Sequence, residues 1–271
     1  MPEGHTLHRL ARLHQRRYAG APVEVSSPQG RFASAASVVD GKELLRADAY
    51  GKHLFHVYGQ DATVHVHLGL YGTFTESTLP TTTPVGQVRM RMVGATHWTD
   101  LRGPNACELL TDAEVDSVLG RLGPDPLRSD ADPELGWQRV SACRTPIATL
   151  LLDQRVAAGV GNVYRAEVLF RHGIDPARLG RDIDREEWKA IWHDLVALMH
   201  AGVQSGRIDT VRPEHEPEAN SRAPRKDRHG GEVYVYRRAG QPCLVCGTEV
   251  SVQELAGRKL YWCPSCQSAG A

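Results

Sequence analysis

The sequence predicts an α+β protein in which a β-sandwich precedes a helical region and a small β-hairpin closes the chain. Three observations carry this. Apolar residues alternate with polar ones within 23–93, they recur at helical spacing after Asp184, and Cys243-x2-Cys246 stands sixteen residues before Cys263-x2-Cys266. A length of 271 residues favours two domains over one. An apolar share of 41% supports a real core and excludes disordered, collagen-like and mini-protein classes. No apolar run approaches the ~18 residues of a membrane span, and no basic-then-apolar leader opens the chain. The expectation is a cytoplasmic protein with no membrane partner.

In chain order, Pro2-Glu3-Gly4 leads into a helix with one face made by Leu7, Leu10, Ala11, His14 and Tyr18. Strands follow. Val64, Val66 and Leu68 alternate with His65 and His67, and Val88, Met90 and Met92 alternate with Arg89 and Arg91, so each reads as a strand with one buried face. Breakers crowd 123–133 and mark a domain boundary. Asp184 and Glu187 have capping-box spacing, and Trp188, Ile191, Trp192, Leu195, Val196, Met199 and Val203 then form a core stripe. The stretch 207–231 is polar and rich in Pro, Arg and Glu, a long surface loop or a lid. The expected division is 1–122, 123–238 and 239–271.

Cys243, Cys246, Cys263 and Cys266 have the spacing of a structural zinc site. Each pair can clamp one side of a tetrahedral ion, with Gly247 and Gly257 as turn points of a hairpin. Four thiolates leave no open position, so a single zinc per chain would hold the fold and perform no chemistry. Lysine and arginine total 32, as do aspartate and glutamate. That balance counts against a nucleic-acid partner, which usually shows as basic excess. The segment 4–23 is an exception, with Arg9, Arg12, Arg16 and Arg17 and no acid.

Four segments, in this order, resemble the formamidopyrimidine-DNA glycosylase and endonuclease VIII family of bifunctional base-excision enzymes. They are Pro2-Glu3-Gly4, Gly51-Lys52 before a strand, LLLDQRVAAGVGNVYRAEVLF over 150–170, and Gly257-Arg258 before Cys263. The resemblance runs from end to end. It implies a β-sandwich with flanking helices, then a helix-two-turn-helix domain with a C-terminal zinc-finger β-hairpin. It implies a monomer acting on double-stranded DNA that carries damaged bases or abasic sites. It makes Pro2 the nucleophile, Glu3 the acid, Lys52 the proton donor in β-elimination and Arg258 a phosphate-binding residue of δ-elimination. It makes Leu70, Tyr71, Arg121 and Asn162 contact DNA. The Pro-Glu-Gly start, the Leu70-Tyr71 pair and the lack of an Arg-Phe tip near Asp100 resemble the endonuclease VIII branch, which implies oxidised pyrimidines over oxidised purines.

The residue types suit that chemistry. Amine catalysis at a sugar C1′ needs a neutral amine and an acid. An α-amino group titrates near 7.7–8.0, roughly two and a half units below lysine, and a helix N-terminus lowers it further. A secondary amine yields a cationic iminium directly, provided Met1 is removed. The permanently charged Arg258 suits a phosphate clamp better than proton donation. Asn162, after Gly159-Val-Gly161, reads as a DNA contact or as an ordinary N-cap. Leu70 and Tyr71 read as a wedge filling the space of an extruded base, or as buried strand-end residues. Two other functions stay open: a non-catalytic binder of abasic or distorted DNA, and a zinc-ribbon protein that engages RNA or protein.

Overall fold

Helix α1 (Gly4–Tyr18) forms where the apolar face predicts it, with Leu7, Ala11, His14 and Tyr18 all buried. Glu3 precedes it in extended conformation, and Ala19 returns to extended backbone beyond its end. The computed structural model describes residues 2–226 and 231–268, and the chain divides into two compact units, 1–121 and 122–271.

In the first unit, α1 is followed by β1 (Glu24–Ser26), α2 (Ala33–Val39), β2 (Arg46–Tyr50), β3 (His53–Val57) and β4 (Thr63–His67). Then come β5 (Thr73–Thr78), β6 (Val88–Val93), β7 (His97–Arg102), β8 (Ala106–Leu110) and α3 (Asp112–Leu119). The strands make two antiparallel sheets, ordered β1-β6-β7-β5 and β2-β3-β4-β8. Residues of both sheets and of α1 share one core that includes Leu7, Tyr18, Leu54, Val64, Val66, Met90, Met92 and Leu101.

Two expectations about single-faced strands are corrected. His65, read as solvent-facing, is buried because Phe55 stacks on its ring and α3 brings Val118 to Phe55 and Leu110 on the same face. Arg91 is also buried. Asp100 accepts two hydrogen bonds from its guanidinium, at 2.6 and 2.9 Å, and Trp98 lies beneath it. A buried charge needs such a partner.

The direction of α1 follows from two anchors. The Ala47 amide donates to Gln15 Oε1 at 2.8 Å, and the Gly20 amide donates to the Leu44 carbonyl at 2.9 Å. Moving back along the helix therefore means moving forward along β2. From Gln15 to Gly4 the helix climbs about 16 Å, and β2 from Ala47 to its turn at Gly51 covers about 13 Å. The N-terminus of α1 thus lies toward the β2–β3 turn that carries Lys52.

The second unit contains α4 (Pro133–Ser141), α5 (Ile147–Leu150), α6 (Asn162–Arg171), α7 (Arg185–Ser205), β9 (Ser251–Leu255) and β10 (Arg258–Trp262). The expected capping box is present, with Asp184 and Glu187 bonding reciprocally, and Gly206 closes α7 at a φ of 80°. Trp188, Ile191, Trp192, Leu195, Met199 and Val203 join Tyr164, Val168, Tyr234 and the hairpin's Leu260 in one core. The breaker-rich stretch is packed into this unit. Gly123 donates to the Gln154 carbonyl at 2.8 Å, and a Cβ there would lie 2.1 Å from the Arg155 carbonyl oxygen. No helix among the described residues is long and apolar enough to cross a membrane.

Candidate active site

Pro2 is half-buried and Glu3, directly before α1, has no exposed surface. Nothing acidic lies in the first turn of α1, and His5 is buried beside Arg9 and His8. Burial first, then the N-terminal ammonium and these two neighbours, push His5 down to about 4. The positive end of the helix dipole lies at this terminus. Lys52 sits half-buried in the two-residue turn between β2 and β3, where Gly51 takes the left-handed φ of 56° that a tight hairpin requires. The antiparallel run of α1 along β2 brings Pro2, Glu3 and Lys52 to the same end of the unit.

The β4–β5 loop carries Leu70 and Tyr71, which are 46% and 85% exposed. The strand-end alternative, which required burial, is therefore set aside. Glycines shape the loop. A Cβ on Gly72 would lie 2.3 Å from the Leu68 carbonyl oxygen, and one on Gly69 would lie 2.9 Å from Asn105 Cβ. The Asn105 amide donates to the His67 carbonyl at 2.8 Å, and a Cβ on Gly103 would lie 3.4 Å from the Tyr71 carbonyl oxygen. The β7–β8 turn thus braces an apolar pair that the loop holds out to solvent. Arg121, exposed after α3, acts electrostatically on His53 and His65 of the adjoining sheet.

In the second unit, α6 is the organising element. Its N-cap is Gly161, so Asn162 is the first helical residue and not the cap. The Asn162 side chain instead donates to the Lys259 carbonyl at 2.9 Å, joined by Arg165 at 3.2 Å, and Arg165 also bonds the Asn162 side-chain oxygen. These bonds fix the start of α6 to β10, one residue from Arg258. Arg258 itself is exposed beyond the Ala256-Gly257 turn, whose φ values of 52° and 68° suit a two-residue hairpin.

Glu167 was not singled out by the sequence reading. Its fully buried carboxylate accepts from the Tyr234, Val235 and Tyr236 amides at 2.7, 2.9 and 2.8 Å, and from Thr210 Oγ1 at 2.5 Å. One side chain therefore clips both ends of the polar stretch that begins after α7. The available signal was an acid inside the apolar run Ala166–Phe170, which demands partners.

The four clustered cysteines fit zinc. Their sulfurs all lie within 4.8 Å of one another, with Cys243–Cys266 at 3.9 Å and Cys246–Cys263 at 3.4 Å. A tetrahedral ion with Zn–S bonds of ~2.3 Å needs sulfur pairs about 3.8 Å apart. The Val245 and Cys266 amides, each 3.4 Å from a sulfur, stabilise thiolate charge. Gln267 accepts from the Cys263 amide and donates to the Ile174 carbonyl, both at 3.0 Å, tying the knuckle to the core.

Comparisons with known proteins agree across the chain. Residues 1–107 match the formamidopyrimidine-DNA glycosylase N-terminal domain, 122–212 the formamidopyrimidine-DNA glycosylase H2TH domain, and 240–269 the zinc finger found in FPG and IleRS. Endonuclease 8 1 of Mycobacterium tuberculosis is 60% identical over 272 residues, covering 99% of this chain and 100% of that protein. The formamidopyrimidine-DNA glycosylase of Thermosynechococcus vestitus is 30% identical, over 80% of this chain and 77% of its own. The structure of Lactococcus lactis Fpg with abasic-site DNA superposes with a TM-score of 0.80 at 20% identity, covering 98% of this chain and 100% of that one. MutM with carbocyclic 8-oxo-G DNA gives 0.79 at 20% identity, covering 99% and 100%.

Two expectations follow from the second unit. Glu167→Gln puts an amide N–H among donors, so unfolding stability should drop by on the order of 3 kcal/mol, read as a fall in thermal midpoint of several degrees. A midpoint within a degree of wild type contradicts the clip. Chelating zinc should raise hydrogen exchange across 240–268 and at the start of α6, leaving β2, β3 and β4 protected. Unchanged exchange in the hairpin after metal removal contradicts a zinc-dependent fold.

Proposed function

The chain belongs to the formamidopyrimidine-DNA glycosylase and endonuclease VIII family, and on that premise we propose that Pro2 carries its chemistry. It is a DNA glycosylase with AP lyase activity, acting in base excision repair. Its substrate is double-stranded DNA with damaged bases or abasic sites, and it works as a monomer in the cytoplasm. The observation that carries the reading is the wholly buried Glu3 carboxyl at the start of α1, on the Lys52 side of the unit.

With Met1 removed, the Pro2 nitrogen lone pair attacks the sugar C1′ of the damaged nucleotide. The C1′–N bond breaks, the base departs with its electron pair and takes the proton that the Pro2 nitrogen gives up, and Glu3 gives a proton to the ring oxygen as the sugar opens to an iminium. The iminium draws electrons from the C2′–H bond, that proton passes to water, and the 3′ phosphate leaves with the C3′–O electron pair. Lys52 donates a proton to the departing phosphate oxygen. Arg258 clamps a phosphate, and Asn162 contacts the backbone beside it, its position set by Lys259. The zinc held by Cys243, Cys246, Cys263 and Cys266 keeps the hairpin folded and takes no part in the reaction.

Leu70 and Tyr71 fill the place of the extruded base. The exposed Leu70-Tyr71 tip and the lack of an Arg-Phe tip near Asp100 resemble the endonuclease VIII branch, which supports oxidised pyrimidines. Arg9, Arg12 and Arg16, exposed on α1, and Arg121 add phosphate-attracting charge to a chain with no net charge. A purely DNA-binding role is the weaker reading, because it leaves Pro2, Glu3 and Lys52 without a task.

Retaining Met1 or adding an N-terminal tag should abolish both base excision and strand nicking. Glu3→Gln should chiefly slow excision and leave some nicking at preformed abasic sites. Equal activity of tagged and untagged protein contradicts the N-terminal nucleophile. Replacing Leu70 and Tyr71 by Ala should slow excision from duplex at least tenfold more than nicking at an abasic site, since unstacking a base costs a few kcal/mol. The thermal midpoint should hold, both residues being exposed. An unchanged ratio of the two rates contradicts the wedge.

A further inference from the structure

One face of the β2-β3-β4-β8 sheet carries three imidazoles that the chemistry above leaves unused. The register sets His53 opposite His67, Phe55 opposite His65, and His65 opposite Glu108. His65 Nδ1 lies 3.0 Å from a Glu108 carboxylate oxygen, and His65 Nε2 lies 2.8 Å from His53 Nδ1. The His53 and His65 rings stack at 5.1 Å and 17°, and His53 lies 5.0 Å from the His67 ring.

The tautomers follow from the partners. An ionised carboxylate only accepts, so His65 Nδ1 carries the hydrogen, its Nε2 accepts, and His53 Nδ1 donates. His53 Nε2 is left with a lone pair. Lys52, the next residue in the chain, and Arg121 both act electrostatically on His53. The row thus has a carboxylate at one end, with Lys52 acting on His53 at the other and Arg121 acting on both imidazoles. The neighbouring β2 contributes Asp48 and Tyr50 to the same face, and α3 carries Asp112, Glu114 and Asp116.

We propose that the His53–His65–Glu108 row takes up a proton when a DNA backbone phosphate settles beside Lys52, which makes DNA affinity proton-linked. This rests on the reading of Lys52 as a residue that meets DNA. In the free protein both imidazoles of the row are neutral. Burial first, then His65, His67, Arg121 and Lys52, push His53 down to about 3, and burial lowers His65 and His67, opposed at His65 by Glu108. A phosphate offsets the charge of Lys52 and Arg121, while Glu108 remains as counter-charge at the far end. A proton from solvent then enters at little cost and is shared along the row.

The sign is fixed by linkage. A proton bound on forming the complex makes affinity fall as pH rises through the histidine range, by at most about tenfold per pH unit for one proton.

Calorimetric titration with a duplex carrying a tetrahydrofuran abasic-site analogue, in buffers of different ionisation enthalpy near pH 6, counts the protons directly. Wild type should take up a substantial fraction of one proton. His53→Gln and Glu108→Gln should each still bind and lose at least half of that uptake. Glu108 is half exposed, so its variant keeps the test open if His53→Gln fails to fold. No uptake by wild type, or equal uptake by wild type and both variants, overturns the inference. Failure of wild type to bind this duplex at all overturns the proposed function instead.

Discussion

The burial of the first turn of α1 is the constraint on which the proposed chemistry depends. A chain terminus ordinarily frays and keeps its charges in water. Here Glu3 has no exposed surface, and α1 is locked along β2 by the Gln15–Ala47 and Gly20–Leu44 hydrogen bonds. The sandwich serves as the bed for that helix. Its core residues Leu54, Val64 and Val66 share a cluster with Leu7, Ala11 and Tyr18. Loss of this packing would release the terminal amine and carboxyl together.

The second unit solves a similar problem with α6. Three buried polar side chains on this helix hold the segments packed around it. Asn162 and Arg165 bond the Lys259 carbonyl of the zinc hairpin, Arg165 also reaches the Ala148 carbonyl at 3.3 Å, and Glu167 gathers the 234–236 amides. Buried polar groups are costly unless satisfied, and once satisfied they impose one arrangement. The zinc site and α6 therefore both act on the hairpin that carries Arg258.

Features encoded locally were legible in the sequence. The cysteine spacing, the α7 capping box and stripe, and the apolar face of α1 all appear in the structure where the pattern puts them. Features created by distant partners were not. His65 and Arg91 alternate with apolar residues and so read as exposed, yet α3 and Asp100 cover them. Glu167 finds its partners 43 to 69 residues away. Asn162 reads as a cap or a contact, and only the fold shows that Gly161 takes the cap position and that the Asn162 amide donates to the Lys259 carbonyl. Leu70 and Tyr71 could not be assigned from pattern alone, because only the glycine-shaped loop decides that they face solvent. The approach of Pro2 and Glu3 to Lys52 needed the direction of α1, which no local pattern encodes.

The central claim is that the Pro2 amine forms the covalent link to DNA. Borohydride reduction during reaction with an abasic-site duplex, followed by proteolysis and mass spectrometry, tests it most directly. The sugar-derived mass should sit on the peptide that begins at Pro2. An adduct on Lys52 or another lysine, or no adduct from protein that binds the duplex, would contradict the account.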